Sequence, residues 1–114
     1  MDNKFPFIAA LITAFFGLLA MVKPHLVSKI ASITPKGKTG ISEIRAVYGG
    51  WIFGLAGYAL WSQSLDVYYC LGAGWLGAAI LRIISVFIDK SYSSKNFRIA
   101  GLELFVSLLF LIKF

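Results

Sequence analysis

Four long apolar stretches alternate with polar connections along the chain. The first, 5–22, contains no ionisable residue and stops at Lys23-Pro24-His25, where proline ends the run. A polar connection over 23–42 follows, punctuated by Pro35, Gly37 and Gly40. Within it, Leu26, Val27, Ile30 and Ile33 predict a short partial helix lying at a membrane interface. The second stretch, 43–62, starts behind Ser42, which reads as an N-cap, and Glu43 places a negative charge at the helix start. Ser62-Gln63-Ser64-Leu65-Asp66 predicts a tight turn into the third stretch, 67–88. A polar loop over 89–97 leads to the fourth, 98–113. At 1.5 Å per residue the fourth is only about 24–27 Å long, so it must stand untilted or thin the bilayer.

Composition turns this pattern into a membrane protein. Hydrophobic residues make up 59% of the 114 positions before the 11 Gly are counted, and charged residues 14%. Ordinary soluble domains carry roughly 25% charge, so a soluble globular fold is excluded. A spanning helix needs about 20 apolar residues. The expected fold is therefore all-α: one integral membrane domain over 1–114, a four-helix bundle made of two antiparallel hairpins. The expected location is the cell (inner) membrane, crossed several times.

Charge then orients the domain. The net charge is +6; the basic residues are scattered through connections instead of gathered on one polar face, which argues against nucleic acid as a partner. The first connection holds Lys23, Lys29, Lys36 and Lys38, the third holds Lys90, Lys95 and Arg98, and the turn at 62–66 holds none. The positive-inside bias puts 23–42 and 89–97 in the cytoplasm and both termini outside. Trp61, Tyr68 and Tyr69 flank the uncharged turn as an interfacial aromatic belt does. Lys23 arrives before any A-x-A-like cleavage site, so the first stretch is expected to be retained.

Candidate chemistry lies in the few polar residues of the spans. Charges there are costly and normally pair or face water. Glu43, Arg45 and Tyr48 belong to the second stretch, Arg82 to the third and Glu103 to the fourth, and the topology puts all of them in the cytoplasmic leaflet. Arg82 lies about 9 Å and Glu103 about 8 Å from that side, which predicts an intramembrane ion pair between adjacent antiparallel helices. Arg45 and Tyr48 share a helix face, as do Arg82, Ser85 and Asp89. One buried cluster of two Arg and up to three carboxylates is expected. It reads either as a ligand site or as a clip that holds helix register. Ala46, Gly49, Gly50 and Gly54, together with Ala73 and Gly77, predict close helix packing, within one chain or between copies. Cys70 and His25, each the only one of its kind, supply neither an internal disulfide nor a protein-built metal set, and no cofactor fingerprint or catalytic motif stands in the chain.

The run Glu43-Ile44-Arg45-Ala46-Val47-Tyr48-Gly49-Gly50, with Gly54, Arg82 and Glu103 behind it, resembles a family of small bacterial four-span membrane proteins catalogued as a domain of unknown function. The resemblance covers most of the chain and implies a four-helix integral membrane protein without naming a substrate or reaction. Small multidrug transporters have a similar size, but they use a membrane-embedded Glu in their first span. The stretch 5–22 has no acid, which argues against proton-coupled antiport by that route.

The leading functional expectation is binding or transport of a small anionic or amphipathic, lipid-like ligand by Glu43, Arg45, Tyr48, Arg82 and Glu103, because the arginine fork suits carboxylate and phosphate. The alternative is a structural or accessory membrane subunit whose charges only fix packing. Expected partners are the bilayer, such a ligand, and a second copy or a larger membrane complex. An enzyme is the least supported class: Tyr48 with Arg and Glu could exchange protons, but no nucleophile stands near.

Overall fold

The computed structural model describes residues 3–112, all of them in helices or their connections, with no strand among them. In chain order these are α1 (Lys4–Val22), α2 (Pro24–Ala31), α3 (Gly37–Glu43), a π-helical segment (Ile44–Trp51), α4 (Ile52–Ser62), α5 (Leu65–Ile88) and α6 (Ser94–Leu111). α3, the π segment and α4 form one continuous rod, because Glu43, Ile44 and Ile52 at the joints keep right-handed helical backbone angles. The described residues thus make five helical rods. Two of them, α1 and α5, are long and apolar enough to cross a membrane. The stretch expected over 43–62 falls on the continuous rod and that over 98–113 on α6, the expected end at residue 113 lying outside the described residues.

Both polar connections are shorter than the sequence pattern predicts. Pro24 at the first turn starts α2, where its missing N–H costs nothing. The left-handed backbone of Ser32 (φ 58°) ends it, and the Ile33 N–H reaches back to the Ser28 carbonyl at 2.9 Å. The next helix starts at Gly37, not behind Ser42, so Ser42 is an interior residue and no N-cap. Gly37 has φ +66°, a conformation glycine adopts without strain, and it lets the chain turn from Pro35 into the helix. α6 likewise starts early, at Ser94, because the Ser93 hydroxyl accepts the Asn96 N–H at 3.1 Å.

The described residues divide into two compact units, 10–62 and 3–9 with 63–112. In the first unit, α1 runs antiparallel to the π segment and α4: Gly17 lies against Phe53, and four residues on, Met21 lies against Gly49. Both are backbone contacts. A Cβ on Gly17 would stand 2.7 Å from the Phe53 nitrogen, and one on Gly49 would stand 2.6 Å from Met21 Cγ and 2.9 Å from its nitrogen. Ala20, Val27 and Ile44 close the end of this pair, with Phe16, Leu19 and Tyr48 packed around them.

In the second unit, α5 and α6 form an antiparallel hairpin. α6 buries Ala100, Glu103, Val106, Ser107 and Phe110 on one face, and α5 buries Tyr68, Gly72, Ala79 and Val86. Gly72 meets Phe110 and Leu111, so close that a Cβ would come within 2.7 Å of the Phe110 Cβ. The rings of Tyr68 and Phe110 pack at 6.2 Å between centroids. Large apolar side chains point the other way: Leu81, Phe87 and Ile88 on α5 and Leu102 and Phe105 on α6 are all exposed.

Gly49→Ala is expected to destabilise the protein by roughly 1–3 kcal/mol through overpacking against Met21. Gly57→Ala, whose new methyl would meet nothing within 4 Å, is expected to be neutral or slightly stabilising. Thermal unfolding of the purified chain in detergent, the two variants beside the parent, checks the contrast; equal midpoints would remove the close helix contact at Gly49.

Candidate functional site

Arg82 lies on the same stripe of α5 as Ala79 and Val86, three residues after one and four before the other, and so faces α6. Glu103 occupies the matching position in the buried stripe of α6. Their side chains meet as a two-point fork: Nε donates to Oε1 at 2.8 Å and Nη2 to Oε2 at 3.0 Å. Glu103 is nearly enclosed, with 9% of its side chain exposed, against 32% for Arg82. Parallel charge-assisted bonds of this kind are among the strongest that side chains make.

A third residue completes the arrangement. Arg82 Nη1 donates to Asn96 Oδ1 at 3.1 Å, and Asn96 Nδ2 donates to the Ser91 carbonyl at 3.2 Å and to Ser91 Oγ at 3.1 Å. Asn96 therefore ties the loop between α5 and α6 to the ion pair, and its own N–H is held by the Ser93 cap. All three nitrogens of the Arg82 guanidinium are occupied by protein acceptors. Asp89, which shares a helix face with Arg82, accepts the Ser85 hydroxyl at 2.7 Å.

The other candidates belong to the first unit. Glu43 and Arg45, expected to be buried, are exposed, and Tyr48 is half-buried in the cluster of Ala20, Val27 and Ile44. Arg45 donates through Nη1 to the Met21 carbonyl. That carbonyl lies in the last turn of α1, where no intrahelical donor remains, and a cation there also interacts favourably with the negative end of the helix dipole. Arg45 and Gly49 thus converge on one residue, Met21, the first by hydrogen bond and the second by close approach. The whole Arg45-x-x-Tyr48-Gly49-Gly50 motif sits in the π-helical segment, a wider turn that often marks functional positions.

The small residues divide in the same way. Gly49 is buried in a backbone contact, whereas Ala46, Gly50, Gly54 and Ala73 are exposed and a Cβ on Gly54 or Gly77 would meet nothing. Gly72, one position before Ala73, makes the close contact in α5. Sequence reasoning missed Asn96 as a site residue. The signal was present in Ser93-x-x-Asn96, a capping serine that holds the Asn96 N–H, while the Asn96 side chain is left to bond Arg82 and Ser91. Among the described residues no group of three or more His, Cys, Asp and Glu converges to hold a metal ion.

The profile of a family described as a domain of unknown function (DUF4345) matches residues 4–113. The chain belongs to that family. The DUF4345 match takes in both units and with them Arg45, Tyr48, Arg82, Asn96 and Glu103. No curated protein and no solved structure matches the chain.

Arg82→Ala and Glu103→Ala are each expected to cost about 1.5–3 kcal/mol, the usual loss when a charged hydrogen-bond partner is removed and the other is left behind. The double variant should cost clearly less than the sum. Thermal midpoints of the four proteins measure the coupling, and strictly additive losses would show that the pair does not hold α5 to α6. Asn96→Ala should weaken the same hairpin, by roughly 1 kcal/mol.

Proposed function

We propose that the chain is an integral membrane protein crossing the bilayer four times, over 5–22, 43–62, 67–88 and 98–113, with 23–42 and 89–97 on the cytoplasmic side and both termini outside. Support comes from its inside-out surface. The ion pair Arg82–Glu103 and small residues such as Gly72 and Ala79 fill the helix contact, while Phe15, Val22, Leu81, Phe87, Ile88 and Phe105 are more than half exposed. A water-soluble protein seldom exposes apolar side chains so densely. Lysines and arginines concentrated in the two connections, and absent from 62–66, support the orientation.

Within that frame the chain acts as a non-catalytic structural or accessory membrane component, and Arg82, Asn96 and Glu103 form a clip that sets the register of α5 on α6. The observation that carries this reading is that all three nitrogens of the Arg82 guanidinium already donate within the chain, two of them as a fork to the enclosed Glu103 carboxylate and the third to Asn96. The ranking of the two sequence expectations is therefore reversed. One observation keeps the second reading in play: Arg45 is exposed and, among the described residues, donates a hydrogen bond through Nη1 alone, which leaves the rest of its fork to an anionic or amphipathic molecule beside Glu43 and Tyr48.

Native mass spectrometry of the gently solubilised protein separates the two. For the clip, Arg82→Ala and Glu103→Ala are expected to leave any bound small molecule unchanged and to lower the energy at which the protein unfolds in the gas phase. A discrete adduct lost in Arg82→Ala with the fold intact would overturn the clip in favour of a binding site at Arg82. An adduct lost only in Arg45→Ala would place binding in the first unit.

A further inference from the structure

Residues 23–45 hold Lys23, Lys29, Lys36, Lys38 and Arg45 against a single acid, Glu43, and every one of these side chains is exposed. The fold gathers them at one end of the first unit. Val27 is buried with Ala20 of α1 and Ile44 of the π segment, which anchors α2 beside the end of α1 and the start of the π segment. Arg45 is fixed at the same end by its bond to Met21.

α2 itself presents three faces. At 100° per residue, Pro24, Val27 and Ala31 share the face turned into the unit, and Pro24 and Val27 are buried. Leu26 and Ile30 form a second face, 40% and 44% exposed. Exposed His25 and Lys29 form the third. Val22 before the helix and Ile33 after it are exposed as well, 62% and 38%. An apolar strip beside a basic one is the surface of a helix lying in a bilayer interface, with one strip in the acyl boundary and the other among the headgroups.

We propose that α2 and its flanking lysines form a docking surface for the anionic phospholipids of the bilayer in which the chain sits. Leu26 and Ile30 enter the edge of the acyl region, and Lys23, Lys29, Lys36, Lys38 and Arg45 hold lipid phosphates. This rests on the membrane reading above and adds a lipid class to it. Charge complementarity favours anionic over zwitterionic headgroups, each basic residue near such a surface contributing about fivefold. The place of α2 directly behind α1, an apolar helix that ends on exposed Val22, favours lipid over an acidic protein, because the exposed face of α2 then lies next to the bilayer that α1 enters.

The test uses the full chain in a Cys70→Ser background, with Ile30→Cys carrying a bimane label, reconstituted into phosphatidylcholine vesicles with or without phosphatidylglycerol. Acyl chains brominated near the headgroup act as quenchers. Strong quenching is expected with phosphatidylglycerol, falling at least severalfold without it, at high salt, or in the variant combining Lys23→Gln, Lys29→Gln, Lys36→Gln and Lys38→Gln. Equal quenching in both vesicle types would overturn the preference for anionic lipid, and no quenching in either would overturn the docking surface and point to a protein partner. Carbonate extraction of the same vesicles distinguishes these failures from that of the membrane reading: retained protein keeps that reading standing, whereas extracted protein overturns it and the proposal with it.

Discussion

The ion pair between Arg82 and Glu103 constrains the second unit more than any other single contact. An enclosed carboxylate beside a half-buried guanidinium is tolerable only with close geometry and with the polar atoms around it satisfied. The fork at 2.8 and 3.0 Å meets the first condition, and Asn96 meets the second by taking the remaining guanidinium nitrogen. A slide of either helix by one residue would move the partners about 1.5 Å apart along the axis and turn them off the shared face. Register is thereby fixed, and with it the placement of Gly72 opposite Phe110 and Leu111. Apolar packing alone specifies register less sharply, because neighbouring apolar positions are nearly equivalent.

The first unit solves the same problem without an ion pair. Its helices approach at two glycines, Gly17 and Gly49, placed so that each lies against the backbone of the partner helix. Arg45 then satisfies a carbonyl in the final turn of α1. Close approach and a capped end replace the salt bridge. The π-helical turn across Ile44–Trp51 bears on this, because a wider turn shifts the side chains after it relative to those before it. Arg45 and Gly49, four residues apart in that segment, both reach Met21.

Much of this was legible in the sequence, and the limits have physical causes. The apolar stretches 5–22 and 67–88 correspond to α1 and α5, because an uninterrupted apolar run of that length has few alternatives to a helix. The Arg82–Glu103 pair was legible because two lone charges at equal depth on adjacent helices leave each other as the natural partner. Helix starts were less legible: Gly37 and Ser94 begin helices earlier than hydropathy suggests, since caps and a positive φ decide a boundary and polarity does not. The small-residue pattern misled in detail. Gly72 and Gly49 make close contacts, whereas a Cβ on Gly54 or Gly77 would meet nothing and Ala73 is exposed, because spacing reveals a face but not which face meets a partner. The partner of Arg45 was illegible for another reason: it is a backbone carbonyl, which every residue carries.

The occupied fork of Arg82 bears on how charged residues in apolar helices are read. An arginine in such a place suggests a ligand site by default, since its presence demands an explanation. Here the chain itself supplies partners: Glu103 neutralises it, Asn96 accepts from the third nitrogen, and Ser91 and Ser93 hold Asn96. A ligand phosphate would have to displace a carboxylate already bound at two points and would leave Glu103 charged and enclosed. Arg45 differs in each respect, being exposed, held through one nitrogen by a neutral carbonyl, and preceded in the chain by the exposed lysines of 23–38. The two arginines, similar as sequence features, therefore divide the work of the chain: one holds helices together, and the other stands where an anion from outside can reach it.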